Sequence, residues 1–202
     1  LPTAAVLSNL QKAAAAQNKL DTVGFKVEVK AGKAEVRGSD LQQAEGVIKK
    51  SGDFQASVKV GSLFGPLTVE VLSAGNEQFT TNPITGGWIR SNQNSYINLD
   101  DLLDPKIGVS NLLLNLKDPK FVGAETLDGV KTFHYQGTAT GKQIAPISIY
   151  TLGKHDAVLD IWIGTTDDLV RQINLKEIDG DGVWTITFSR FNEAVSIKKP
   201  QT

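Results

Sequence analysis

From Thr22 onward, apolar residues recur at every second position through most of the chain. In TVGFKVEVK, Val23, Phe25, Val27 and Val29 share one face, and Lys26, Glu28 and Lys30 the other. FQASVKV puts Phe54, Ala56, Val58 and Val60 on one side, and Leu67, Val69 and Val71 repeat the pattern after GSLFGP. Side chains of a strand alternate between faces, so each of these segments is greasy on one side only. Such strands need a cover, and the chain offers few helices to supply it.

One helix precedes the strands. Thr3 to Leu20 carries an AAAA run of high helix propensity and a rough stripe of Val6, Leu7, Leu10, Ala14 and Leu20, with Thr3 as the candidate N-cap. KAEVRGSD reads as extended but more polar. NEQFTT and GWIRS read as short strands around the turn Asn82-Pro83. Strand character resumes after a central insert: KFVGAE, VKTFHYQGT, HDAVLDIWIG, LVRQINLKEI, VWTITFSRF and AVSIKK. DGDG, Asp179 to Gly182, reads as a hairpin turn with glycines where positive φ is needed. No Pro- or Ser-rich linker divides the 202 residues, so a single domain, 1–202, is expected.

The insert runs from about Leu99 to Leu116. In DPKIGVSNLLLNLKDP, Asp104-Pro105 predicts a helix start and Asp118-Pro119 a stop. On a helical projection Val109, Leu112, Leu113 and Leu116 fall on one broad face and Ile107 and Leu114 on the opposite one. That pattern suits a helix between two apolar partners, or one roofing an apolar cavity.

Composition excludes several functions. With 21 basic and 22 acidic residues interspersed, there is no footprint for nucleic acid. Cysteine is absent, which removes disulfides, thiolate metal sites and a cysteine nucleophile. No apolar run is long enough to span a bilayer as a helix. The chain opens at Leu1 rather than Met, which fits trimming, either by choice of the expressed segment or by removal of an export signal.

Enzyme motifs are thin. His134 and His155 have no second ligand at metal-binding spacing, and there is no G-x-S-x-G elbow, P-loop or dinucleotide fingerprint. EIDGDG starts like a calcium loop, but its twelfth position is Phe188 where a bidentate Glu is required. Asp100, Asp101 and Asp104 are explained by helix capping. Arg171 shares a strand face with Leu169, Ile173 and Leu175; it either points inward to an anionic partner or turns back to water and an acid.

The order of segments resembles the LppX/LprAFG lipoproteins of mycobacteria and relatives. The resemblance rests on LLDPKIGVSNLLLNLKDPKFVGAETLDGVKTFHYQGTATG with Gly123, Glu125, Gly129 and Gly137, then Trp162-Ile163, then Leu169 and Arg171, and the TFSRFNEAVSIKKP end. It covers nearly the whole chain. It implies an α+β fold: a strongly curved antiparallel half-barrel of about 11 strands with helices on its concave side around an apolar cavity, similar to LolA and LolB. It also implies non-enzymatic binding and transport of acylated lipids or glycolipids in the cell envelope by an exported, monomeric protein without a cofactor. The family attaches to the membrane surface through a lipid-modified N-terminal cysteine, a residue absent from this chain. GKQIAPISIYTLGK departs from the helix expected there, since Pro146, Ile147 and Ile149 argue against a long one.

The expected cavity lining is Phe25, Val27, Phe54, Val58, Val69, Phe133, Ile161, Ile173 and Trp184 on the sheet, roofed by Leu112, Leu113 and Leu116. The alternative on the same fold is an envelope interaction or sensor module whose helices fill the concave side.

Overall fold

The computed structural model describes residues 1–36, 38–63, 65–93 and 97–201. Helix α1 (Thr3–Gln17) is followed by β1 (Thr22–Ala31), β2 (Glu35–Val36), β3 (Ser39–Lys49), β4 (Phe54–Gly61), β5 (Leu67–Ala74), β6 (Glu77–Thr81) and β7 (Trp88–Arg90). A 3-10 turn (Asp100–Leu102) and α2 (Val109–Leu114) lead into β8 (Lys117–Leu127) and β9 (Val130–Ala139). Helix α3 (Gly141–Ile144), a second 3-10 turn (Pro146–Ser148), β10 (Ala157–Gly164), β11 (Val170–Glu177) and β12 (Val183–Ser189) complete the chain.

Among the described residues, 12 strands form one antiparallel sheet in the order β7-β6-β5-β4-β3-β1-β12-β11-β10-β9-β8, with β2 paired to β3. Strands β7 and β8 are its two edges, so the barrel stays half open. A single row of paired residues crosses nine strands of the inner face: Val69, Val58, Ala44, Val27, Ile186, Ile173, Ile161, Tyr135 and Phe121. The matching row on the outer face is Glu70, Ser57, Glu45, Lys26, Thr187, Gln172, Trp162 and His134. The two-residue period thus sorts apolar from polar across the sheet, as the sequence predicts.

Helix α1 lies on the inner face with Val6, Leu10, Ala13 and Ala14 buried, while Leu7 remains 46% exposed. Its N-cap is Pro2; Thr3 is already helical and makes no side-chain cap. Asn9 Nδ2 donates to the Tyr135 hydroxyl at 2.9 Å, tying α1 to β9. Ser110 Oγ donates to the Ala14 carbonyl at 3.2 Å, tying α2 to α1.

Four expectations need correction. The central helix is shorter than Asp104–Asp118, because Gly108 approaches so closely that a Cβ there would sit 2.4 Å from the carbonyl oxygens of Asp101 and Leu102. Residues before it form a turn instead, with Asp104 Oδ1 accepting from the Lys106 N–H at 2.6 Å and the Asp104 carbonyl from the Gly108 N–H at 2.8 Å. Asp118-Pro119 is no helix stop; it sits in β8, where Asp118 (φ 48°) makes a bulge. The missing N–H of Pro119 is harmless there because β8 is an edge strand.

AVSIKK alternates like a strand but is not one. The tail leaves β12 in the middle of the sheet, between β1 and β11, where no free edge is available. It runs instead as a strap over the outer face, with Asn192 N–H on the Thr22 carbonyl, Ile197 against Leu72 and Phe79, and Lys199 paired with Glu77. In the Asp179–Gly182 hairpin the glycines serve close approach rather than positive φ. A Cβ on Gly180 would lie 2.4 Å from Glu177 Oε2, which accepts from the Gly182 N–H at 3.0 Å.

Candidate functional site

All nine predicted sheet residues face inward. Phe25, Val27, Ile161, Ile173 and Trp184 are buried in the main core. Phe133 is half-buried and meets Phe121 edge-on at 5.8 Å. Leu112, Leu113 and Leu116 are buried beneath α2 and its C-terminal end. Leu116 lies directly over Gly137, where a Cβ would be 2.6 Å from Leu116 Cγ. On the opposite side of α2, Leu114 is 54% exposed, and Ile107, partly buried, belongs to the preceding turn.

Only Phe54 and Val58, of the twelve, line the apolar pocket that the inner side contains. Its floor is completed by Leu41, Ala44, Ala56 and Val71, and its cover by Ile97, Leu99 and Ile149. Val69 pairs with Val58 at its border and is half-buried. The wide cavity implied by the resemblance is closed: the pocket holds about 10 Å³, room for one water at most. Sequence reasoning missed Ala44 and Ala56. The signal was small residues at inward positions of long strands, which leave space that larger neighbours cannot fill.

The cover is made of irregular segments. Ile97 is held to β6 by two hydrogen bonds from the buried Gln78 side chain, 2.7 Å to its carbonyl and 2.9 Å from its N–H. On the other side, Ile149 (φ 54°) and Tyr150 (φ 58°) both occupy the left-handed region, which a β-branched residue adopts only under strain. The Tyr150 hydroxyl donates to Asp101 Oδ2 at 2.7 Å, joining the two cover segments at the surface. The hydrogen bond to Asp101 pushes the Tyr150 phenol up to about 12, aided by burial and by the charges of Asp101, Asp100 and Asp104. Burial first, then the Asp101 and Asp104 charges, raise Asp100 above the usual carboxylate value.

His134 has partners that its sequence spacing did not show, and Arg171 takes the second of its two expected arrangements, turning back to an acid. His134 is not alone: on the outer face its Nδ1 meets Glu125 Oε1 at 2.9 Å and its Nε2 meets Asp160 Oδ1 at 2.8 Å. Its ring stacks on Trp162 at 4.3 Å, and the Trp162 indole donates to Glu125 Oε2 at 3.1 Å. The Trp162 and His134 hydrogen bonds hold Glu125 below the usual carboxylate value. Arg171 does not point inward. It is the extra residue of a bulge, between Val170 opposite Ile163 and Gln172 opposite Trp162. Its guanidinium bonds Asp167 Oδ2 at 2.5 Å and lies 4.6 Å over the Phe191 ring.

A model of the LppX_LprAFG lipoprotein family matches residues 3–197. The chain belongs to this family. Lipoprotein LprA of Mycobacterium tuberculosis is 33% identical over 111 residues, covering 52% of this chain and 45% of that protein. The lipoarabinomannan carrier protein LprG of the same species is 28% identical over 100 residues, covering 49% and 42%. The chain thus matches somewhat less than half the length of these curated relatives. The crystal structure of LprF from Mycobacterium bovis superposes with a TM-score of 0.82 at 18% identity, covering 100% of this chain and 99% of the other. Mycobacterium tuberculosis LppX gives 0.71 at 17% identity, covering 97% and 100%. The LppX_LprAFG fold is therefore the fold of this chain. Among its described residues no helix is long and apolar enough to cross a membrane.

Proposed function

We propose that this chain binds acylated lipids or glycolipids without catalysis, as an exported protein of the cell envelope. The acyl chains would lie between the inner face of β3–β5 and its cover. The observation that carries this reading is an all-apolar pocket roofed by irregular segments joined at the surface by one tyrosine–carboxylate hydrogen bond. Membership of a lipoprotein family with a relative named as a lipoarabinomannan carrier supports it. Binding draws on burial of methylenes, about 0.8 kcal/mol each, so the pocket selects chains weakly and the head group sets specificity at the mouth. Ligand pockets run from about 300 Å³ upward, so loading requires the cover to move. Segment 146–152 is the part built to do so, since Ile97 is pinned by Gln78 and the strands are paired on both sides.

Organic extraction of protein purified from a membrane-containing host, followed by mass spectrometry, tests this. Stoichiometric lipid is expected, and an Ala44→Phe variant, whose ring overfills the closed pocket and takes the space an acyl chain would need, is expected to fold at a cost of about 1–3 kcal/mol and lose the lipid. Absence of lipid from wild type, or full loading of Ala44→Phe, overturns the reading. A second reading is favoured by the closed state of the pocket: the helices fill the concave side and the outer face meets a protein partner. In that case extracted protein carries no lipid under any preparation.

A further inference from the structure

We propose that the β4–β5 and β6–β7 hairpins form a membrane-docking edge whose two tips enter an uncharged bilayer surface. This goes beyond the lipid-binding reading and does not depend on it. The sheet order places the two hairpins side by side, and strand direction puts both turns at the same end. Two strand spacings separate them, about 10 Å.

The tips are apolar and raised. Leu63 is 99% exposed and Ile84 is 92% exposed, with Leu67 and Ile89 partly exposed on the same two hairpins. No charged residue occurs from Val60 to Val69 or from Gln78 to Ile89. The opposite end of the sheet is built otherwise. Where the same strands turn there, the loops carry Lys49, Lys50 and Asp53, and Asn76 and Glu77, and among the described residues of those two turns no large hydrophobic side chain is exposed; the charges at the tips' own end sit in other turns, at Lys33, Asp179 and Asp181. Chance scatter of surface leucines does not explain that asymmetry.

A bilayer interface demands that backbone polar groups be satisfied before they leave water. Among the described residues both turns meet part of this condition internally. Ser62 and Gly65 exchange N–H to carbonyl bonds at 3.1 and 3.2 Å. The Asn82 N–H donates to the Gly87 carbonyl at 2.8 Å, and the Gly86 N–H to the Asn82 carbonyl at 2.8 Å. Asn82 Oδ1 also accepts from the N–H groups of Ile84 and Thr85, at 2.9 and 3.2 Å. Pro66 and Pro83 have no N–H to satisfy. These internal bonds reduce the backbone desolvation that insertion requires. Two narrow points suit a fluid surface better than a protein partner, which needs a contiguous face of about 800 Å².

The chain lacks cysteine, so single-cysteine variants Leu63→Cys, Ile84→Cys and, at the opposite end, Ser51→Cys can carry a polarity-sensitive dye. Phosphatidylcholine vesicles in millimolar excess, with and without phosphatidylglycerol, are the probe. Blue-shifted emission is expected at both tips and not at Ser51→Cys, alike in both vesicle types and in high salt. A Leu63→Ser/Ile84→Ser double variant should keep its thermal midpoint and lose about tenfold or more in vesicle partition coefficient, read by flotation. Silent tips, an equal response at Ser51→Cys, or loss of binding in salt overturns the proposal. So does sedimentation in which the double variant splits a dimer, since the tips would then serve a second copy of the chain.

Discussion

Tyr150→Phe removes one oxygen and with it the hydrogen bond that joins the two cover segments. A hydrogen bond to a charged group is worth about 1.5–3 kcal/mol when shielded. Tyr150 is 56% exposed, so screening and competing water reduce this to about 0.5–1 kcal/mol. The substitution should therefore raise the population with segment 146–152 open by about two- to fivefold. Amide hydrogen exchange reads this directly: protection in 146–152 falls by that factor while β10–β12 stay unchanged. Uptake of a fluorescent fatty-acyl probe should accelerate by the same factor if opening limits entry. Alkali does the same to wild type. The phenol value in the folded chain, about 12, lies above the ordinary 10.0, so the bond stabilises the closed cover fully below pH 10 and is lost as pH rises through about 12. Tyr150→Phe should lack that step. Unchanged exchange in 146–152, or an equal loss of protection across the whole sheet, refutes the idea of a local latch.

The two faces of α2 should respond oppositely: Leu112→Ala, at a fully buried position, costs about 2–5 kcal/mol in a urea melt, whereas Leu114→Ala, on the exposed side, changes stability by less than about 0.5 kcal/mol. Acid should loosen the β8 edge. Glu125 is held below its ordinary 4.5, so its contribution is present above pH 4.5 and is lost as pH falls through the lower folded value. Exchange protection in residues 122–126 should drop in that window, and Glu125→Gln should show no such window.

The strand pattern was legible because one row of side chains spans the sheet and each member obeys the same alternation. The closure of the cover was not, because Asp101 and Tyr150 are 49 residues apart and neither lies in a periodic segment. The length of α2 was misread for a tertiary reason. Asp104-Pro105 is a sound local start, but Gly108 must press against Asp101 and Leu102 before a helix can begin. The strand expected at AVSIKK failed because alternation alone cannot create a free sheet edge. The nine sheet residues named as lining all face inward, yet facing inward is a weaker property than lining a space. Most of them meet other side chains.

That distinction divides the inner face in two. Under α1 and α2 the row consists of Ile186, Ile173, Ile161 and Tyr135, all fully buried, and α1 is tied to β9 through Asn9 and Tyr135. Large side chains there meet regular helices, and nothing can enter without breaking helix packing. Toward β3–β5 the same face carries Ala44, Ala56, Val58 and Val71, and its cover is two irregular segments bridged by one surface hydrogen bond. Small side chains under an irregular cover form the side of the fold that can widen at least cost, since what opposes the opening of segment 146–152 is the burial of Ile147 and Leu152 and the one bond to Asp101, its other hydrogen bonds running within 145–152. The β4–β5 hairpin, with its uncharged tip, extends from this thinner half. On the proposed reading a chain drawn from a bilayer would meet the thin half first, and Ala44→Phe and Leu63→Ser/Ile84→Ser would act on different steps, holding and docking. If both steps belong to one path, each variant alone slows lipid loading from vesicles, but only Ala44→Phe lowers the amount held at equilibrium.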